Sequence, residues 1–211
     1  MEVEVIVITA SGAMEGEVER ITNLFDHGLE TLHIRKPKLS STEISEIITS
    51  FPEKYRSRIV IHGHYKLARK FGLKGYHLRR RHRSNSWRNK LKRFLLKVQN
   101  PRALVCTTFH SVQSLKECES SFDYVLLNNV FNDETRFNYQ EPSGMNLIRS
   151  VIKKSDQRVF AVGGIRPDRI EMMKSIGFHG MGVSSSYICQ FREDYLNEFQ
   201  KTNLSKMVIF R

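Results

Sequence analysis

Residues 58–78, RIVIHGHYKLARKFGLKGYHL, decide the fold. Arg58–His62 is a short run built on Ile59, Val60 and Ile61, the β-branched composition of a strand. Residues 64–71 follow with a helical pattern, and Gly72 stands where a left-handed cap ends such a helix. Gly75–Leu78 is a second apolar run. A strand, a helix and a strand joined this tightly imply two parallel strands and a right-handed crossover.

The same unit recurs along the whole chain. Further strands are expected at Val3–Ile8, Glu30–Ile34, Ala103–Cys106, Asp123–Asn128, Arg158–Val162 and Gly180–Val183. Helices are expected near 15–27, 41–50, 85–97, 112–119, 143–154, 167–176 and 189–200. Ser41 before Thr42 and Glu43, and Pro167-Asp168, are start signals, while Gly28 and Gly177 fall at helix ends. Eight β-then-α units in 211 residues make a compact TIM (β/α)8 barrel, a single domain over residues 1–211. The runner-up, a doubly wound open sheet, needs a phosphate turn after the first strand. Thr9-Ala10-Ser11-Gly12-Ala13 is not G-x-G-x-x-G.

Composition narrows the class. Hydrophobic residues make up 40% and charged residues 27%, which excludes a disordered chain. No run approaches the ~18 apolar residues of a membrane span, so no membrane partner is expected. The first ten residues, MEVEVIVITA, carry acids where a signal peptide carries bases. Cys106, Cys118 and Cys189 are odd in number and lack C-x-x-C spacing, so a reducing cytoplasm is the expected compartment.

The net charge of +12 is local. Lys74 to Arg102 contains 11 bases and no acid, and the rest of the chain is nearly balanced. Nucleic-acid binding by counterion release competes here with a solvated basic face, and the segment lacks the Gly-aromatic motifs of RNA-recognition sheets. The solvated face is preferred. Phe25, Phe94, Phe109 and Phe131 read as core or pocket wall.

In a barrel the chemistry sits on the loops after the strand C-termini. Strand two ends in His33-Ile34-Arg35-Lys36, strand three in His62-Gly63-His64, and strand four in His77-Leu78-Arg79-Arg80-Arg81-His82. Alternation points His33 and Arg35 to one side, inward. Strand five ends in Thr107-Thr108-Phe109-His110 and strand six in Asn128-Asn129, with Thr135 and Arg136 in the following loop. Gly163-Gly164 after strand seven and Ser184-Ser185 after strand eight are the two loops where barrels recurrently hold phosphate. The plainer reading of the two glycines is a tight turn. With no carboxylate in the His-bearing motifs, no zinc or iron site is read.

These residues resemble the thiamin phosphate synthase and thiazole tautomerase (TenI) superfamily, over nearly the whole chain. The matching segments are Gly28-Leu29 through His33-Ile34-Arg35, Ile59 through Gly63 with Leu67-Ala68, and Gly75 through Leu78. Thr108-Phe109-His110-Ser111, Asp123-Tyr124 through Val130-Phe131, and Ala161-Val162-Gly163-Gly164-Ile165 complete the match. The resemblance implies a barrel that joins hydroxymethylpyrimidine diphosphate to thiazole phosphate and releases pyrophosphate through a carbocation-like intermediate. It also implies Mg²⁺ held by two aspartates.

Neither aspartate is present. The first would fall on Gly63 and the second near His82. The strand-two lysine falls on Pro37, and the diphosphate-gripping Thr-x-Thr-Lys run becomes Asp133-Glu134-Thr135-Arg136. Arginines that grip phosphate bidentately can stand in for the metal, with Arg35, Arg79, Arg80, Arg81 and Arg136 as the available set and Thr135 beside them. The tautomerase branch also has glycine at Gly63 and reads His-Ile-Arg on strand two. It moves a proton without metal, but its histidine would fall on Asn129, so His33, His62 or His110 would take over. Gly163, Gly164, Ser184 and Ser185 would hold the single phosphate. The expected partner is a small phosphorylated heterocycle; a tautomerase-like enzyme, a non-catalytic binder and a nucleic-acid binder stay as alternatives, and a homo-oligomer stays open.

Overall fold

The computed structural model describes residues 3–84, 86–118, 122–131, 142–165 and 169–190. Eight parallel strands close in sequence order into a barrel: β1 (Glu4–Ile8), β2 (Thr31–Ile34), β3 (Ile59–His62), β4 (Gly75–Leu78), β5 (Leu104–Phe109), β6 (Tyr124–Asn128), β7 (Arg158–Val162) and β8 (Gly180–Ser184). β8 returns to β1 with Ile6 opposite Gly182. Each lies where the apolar runs predict. β5 runs on through Thr107 to Phe109, and the Thr107 hydroxyl donates to the Leu78 carbonyl across the β4–β5 seam (3.1 Å).

Around the strands lie α1 (Glu17–Asp26), α2 (Ser41–Ser50), α3 (Glu53–Arg56), α4 (Lys66–Lys70), α5 (Trp87–Gln99), α6 (Val112–Lys116), α7 (Pro142–Lys153), α8 (Ile170–Ile176) and α9 (Ser185–Gln190). A 3₁₀ turn covers Arg80–His82. The cap of α2 is Ser40, one residue before the expected position: its hydroxyl accepts from the Glu43 amide while the Glu43 carboxylate accepts from the Ser40 amide. Gly28, Gly72 and Gly177 all take the left-handed conformation expected of helix ends. α9 starts directly off β8 rather than at 189, and the remainder of the expected 189–200 helix lies outside the described residues, as does Pro167-Asp168. The sequence pattern missed α3 and the 3₁₀ turn because neither is long enough to show a period.

Strand alternation sorts the core into two layers. Outward-facing residues such as Leu32, Ile34, Ile61, Val125 and Ala161 pack against helix residues such as Phe25, Ile44, Ile48 and Met173. Inward-facing Ile6, Val60, Cys106, Tyr124, Leu126 and Phe160 fill the barrel itself. Phe25, Phe109 and Phe131 are buried as expected, but Phe94 is 63% exposed. That corrects its reading as core: its side of α5 turns to solvent.

Candidate functional site

Above the inner apolar layer, the same alternation turns His33, His62 and His77 toward one another. The His62 and His77 rings stack nearly parallel, with centroids 3.8 Å apart. His33, fully buried, bonds through Nδ1 to His62 Nε2 (3.0 Å) and through Nε2 to the Tyr124 hydroxyl (2.6 Å). His77 Nε2 meets the Thr108 hydroxyl at 2.7 Å. The Cys106 thiol donates to the Tyr76 carbonyl. The two contacts form one directional chain: either His62 Nε2–H donates to His33 Nδ1 and His33 Nε2–H to the Tyr124 oxygen, or the Tyr124 hydroxyl donates to His33 Nε2 and His33 Nδ1–H to His62 Nε2.

Burial sets the charge state of this cluster. His33 and His62 are held well below the ordinary histidine value, first by desolvation and then by the positive charge each would present to its neighbours. His77 is lowered to about 3, again chiefly by burial. Burial likewise pushes Tyr124 and Cys106 up, so both keep their protons. The barrel therefore carries a neutral, hydrogen-bonded polar column from its centre to its mouth.

At the mouth the charges are arginines. Arg35 and Arg79 are both exposed beyond the ends of β2 and β4. Gly63 has a left-handed φ of +78°, and a Cβ placed on it would sit 3.0 Å from an Arg79 guanidinium nitrogen. The guanidinium thus lies across the glycine, in the space a side chain at 63 would fill. Arg80 opens the 3₁₀ turn beside it. His110, exposed at the rim and 3.3 Å from the Asn128 amide, is lowered by partial desolvation and then by Arg83, Arg80 and Arg35.

The opposite side of the mouth is built from backbone. Gly163 (φ +89°) is forced: a Cβ there would lie 2.9 Å from the Asn129 nitrogen and 3.3 Å from the Asn128 side-chain oxygen. Asn129 is itself left-handed, a conformation asparagine tolerates. Arg169 ties the two loops by donating to the Phe131 and Gly164 carbonyls (2.7 and 2.9 Å). Ser184 is exposed, with its hydroxyl 2.6 Å from that of Ser186. Ser185 differs. Its buried hydroxyl donates to Glu17 (2.5 Å) and accepts from the Ala10 amide (2.7 Å), so it is committed to structure and only its backbone remains to meet a ligand.

The sequence-predicted residues therefore divide. Arg35, Arg79, Arg80, His62, His110, Gly163, Gly164, Ser184 and Asn129 come to one mouth, while His33 lies beneath it. Thr135 and Arg136 lie outside the described residues. Sequence reasoning missed two features. His77 is the partner of His62, and only the β3–β4 register, with His62 opposite His77, reveals that. Lys36 is buried in an ion pair with Glu17 (2.6 Å) and donates to the Gly12 carbonyl (2.6 Å), so it adds no free charge to the mouth.

A family model described as thiamine monophosphate synthase matches residues 5–187. A thiamine-phosphate synthase of Serratia proteamaculans is 25% identical over 173 residues, 80% of this chain and 79% of that one. A thiamine phosphate pyrophosphorylase from Bacteroides thetaiotaomicron superposes with a TM-score of 0.71 at 28% identity, covering 99% of this chain and 100% of the other. One from Pyrococcus furiosus gives 0.71 at 19% identity, covering 95% and 94%, a likeness of fold.

Proposed function

This chain belongs to the thiamine monophosphate synthase family, and on that footing we propose that its mouth joins a pyrimidine diphosphate to a thiazole phosphate with guanidinium groups in place of a metal. The observation that carries the reading is Arg79 lying across Gly63.

The Mg²⁺ implied by the family does not fit the residues present. The carboxylate position is a glycine covered by a guanidinium, and the second position, around His82, is a turn of Arg79, Arg80 and Arg81. Among the described residues no cluster of three His, Cys, Asp or Glu side chains could hold a metal ion. A divalent cation there would sit beside the Arg79 guanidinium and next to the Arg80–His82 turn.

In the proposed reaction the bond between the pyrimidine methylene carbon and the diphosphate oxygen breaks, and that oxygen leaves with the electron pair. The thiazole nitrogen then forms the new carbon–nitrogen bond. Arg79, Arg35 and Arg80 bind the departing diphosphate, where bidentate guanidinium contacts strengthen as charge builds on its oxygens. Gly163, Gly164, Ser184 and the Ser185 backbone hold the thiazole phosphate. The neutral His62–His77 stack offers a flat wall beside the heterocycles that does not repel the developing carbocation. His110, exposed at the rim beside Asn128, is the histidine open to a bound ligand for proton exchange.

The test is product formation at near-stoichiometric enzyme, with Mg²⁺ and with a chelator. Product in both, falling about 10²-fold in Arg79→Ala, is expected if arginine stabilises the leaving group. Product only with Mg²⁺ overturns the arginine reading. No product in either overturns the synthase reading and leaves proton transfer on a thiazole phosphate, through His62 or His110, or a phosphate-ligand binder.

A further inference from the structure

Helix α5 is built inside out. Asn89, Lys92, Arg93, Leu96 and Lys97 face the barrel: Asn89 donates to the Arg81 carbonyl, Lys92 approaches His82, Arg93 donates to the His82 carbonyl, and Lys97 donates to the Ala103 carbonyl and Asp123. Leu96 is the one large apolar residue of the helix that is buried. The opposite face is apolar and open to solvent. Trp87, Leu91, Phe94, Leu95 and Val98 recur at helical spacing, and they are five of the seven exposed large hydrophobic side chains among the described residues. Trp87 is 69% exposed.

An ordinary barrel helix turns that stripe inward, so this one is turned toward something else. Its flanks say what. At 100° per residue Arg88 and Lys90 fall on the two edges of the stripe, one on each side, and both are exposed. The Arg88 guanidinium lies over the Trp87 ring. The helix sits within the segment that has 11 bases and no acid. A second copy docking through this face would bring two such acid-free segments together, and like charge opposes that contact. Nucleic acid would satisfy the charge but leave the apolar stripe in water. A surface both anionic and apolar satisfies both, and it matches the exposed stripe with its flanking bases.

We infer that α5 is a docking surface for an anionic lipid bilayer, lying along the headgroup boundary with Trp87 and Phe94 inserted and Arg88 and Lys90 on lipid phosphates. This holds independently of the reaction at the mouth.

Trp87 is the only tryptophan in the chain, so its emission reports this face alone. The full protein is mixed with vesicles of phosphatidylglycerol and phosphatidylcholine, or of phosphatidylcholine only, and scored by sedimentation and by Trp87 emission. Binding to the anionic vesicles with a blue shift is expected, weakened at least about tenfold in Phe94→Glu and by raised salt. Phe94 is exposed, so the variant keeps its fold, checked by its melting temperature. No vesicle binding at low salt overturns the inference. So does binding with unmoved emission that Phe94→Glu leaves intact, which is adsorption of charge alone. A concentration-dependent blue shift without vesicles, with a dimer in sedimentation equilibrium, overturns it in favour of a second copy.

Discussion

Lys36 and Arg79 begin as the same kind of residue, a base just past the end of a barrel strand, and the fold makes opposite uses of them. Lys36 turns down into the β1–β2–β8 joint, where it is buried against Glu17, and Glu17 in turn takes Ser185 and the Ala10 amide. Arg79 stays exposed and spreads over Gly63. The difference is set by what each strand end faces. Near Lys36 there is a buried carboxylate to neutralise; near Arg79 there is a missing side chain and more arginine. One side of the mouth is thus neutral and read through backbone, and the other carries exposed arginines. Between them stands the neutral histidine column.

That column gives the largest expected effect. The folded-state values of His33, His62 and His77 lie below those of the unfolded chain, so protonation favours unfolding. Stability is full above the ordinary value near 6.5 and falls as pH drops below it, at about 1.4 kcal/mol per pH unit for a histidine that stays neutral in the fold. For His77 the window runs down to about 3. Denaturant midpoints taken from pH 7.5 to 4.5 should drop steeply below 6, and less steeply in His77→Phe. A flat profile would show that the folded column already accepts protons.

Next in size is Lys36→Ala. It leaves the Glu17 carboxylate buried with no cation, which costs about 3–5 kcal/mol, a fall in melting temperature of roughly 10 °C for a chain of this size. Arg79→Ala should leave melting unchanged while activity falls. If both variants lose stability alike, the contrast between the two bases fails.

The fold was legible because eight strands of alternating, apolar composition leave a period that a single sequence carries. The mouth was legible in part for the same reason: once strands are placed, their ends are known, and Arg35, Arg79, Gly163 and Ser184 follow. What the sequence hid are contacts made only when the barrel closes. Glu17 and Lys36 are 19 residues apart with β2 between them, and nothing local distinguishes Lys36 from Lys38. Phe94 read as core because apolar residues at helical spacing normally face inward; the polar contacts of Lys92, Arg93 and Lys97 with the barrel reverse the helix.

The smallest effect tests the contrast most sharply. Gly63→Asp puts back the carboxylate the family carries. The left-handed φ is one that aspartate tolerates at about 1 kcal/mol, so the variant folds. Its Cβ, however, would sit 3.0 Å from an Arg79 guanidinium nitrogen, so the guanidinium shifts aside and pairs with the carboxylate beyond it. The anion site then loses its principal cation while the new carboxylate is already occupied. We expect product formation to fall about tenfold, the equivalent of ~1.4 kcal/mol, with no rescue by Mg²⁺. In Gly63→Asp combined with Arg79→Gln the guanidinium that covers position 63 is gone and the carboxylate is released from that pairing. Restored activity on adding Mg²⁺ to the double variant alone would mean that arginine and metal are alternative answers to one leaving group. A gain from Mg²⁺ in the single variant would mean that Arg79 does not hold the space it covers.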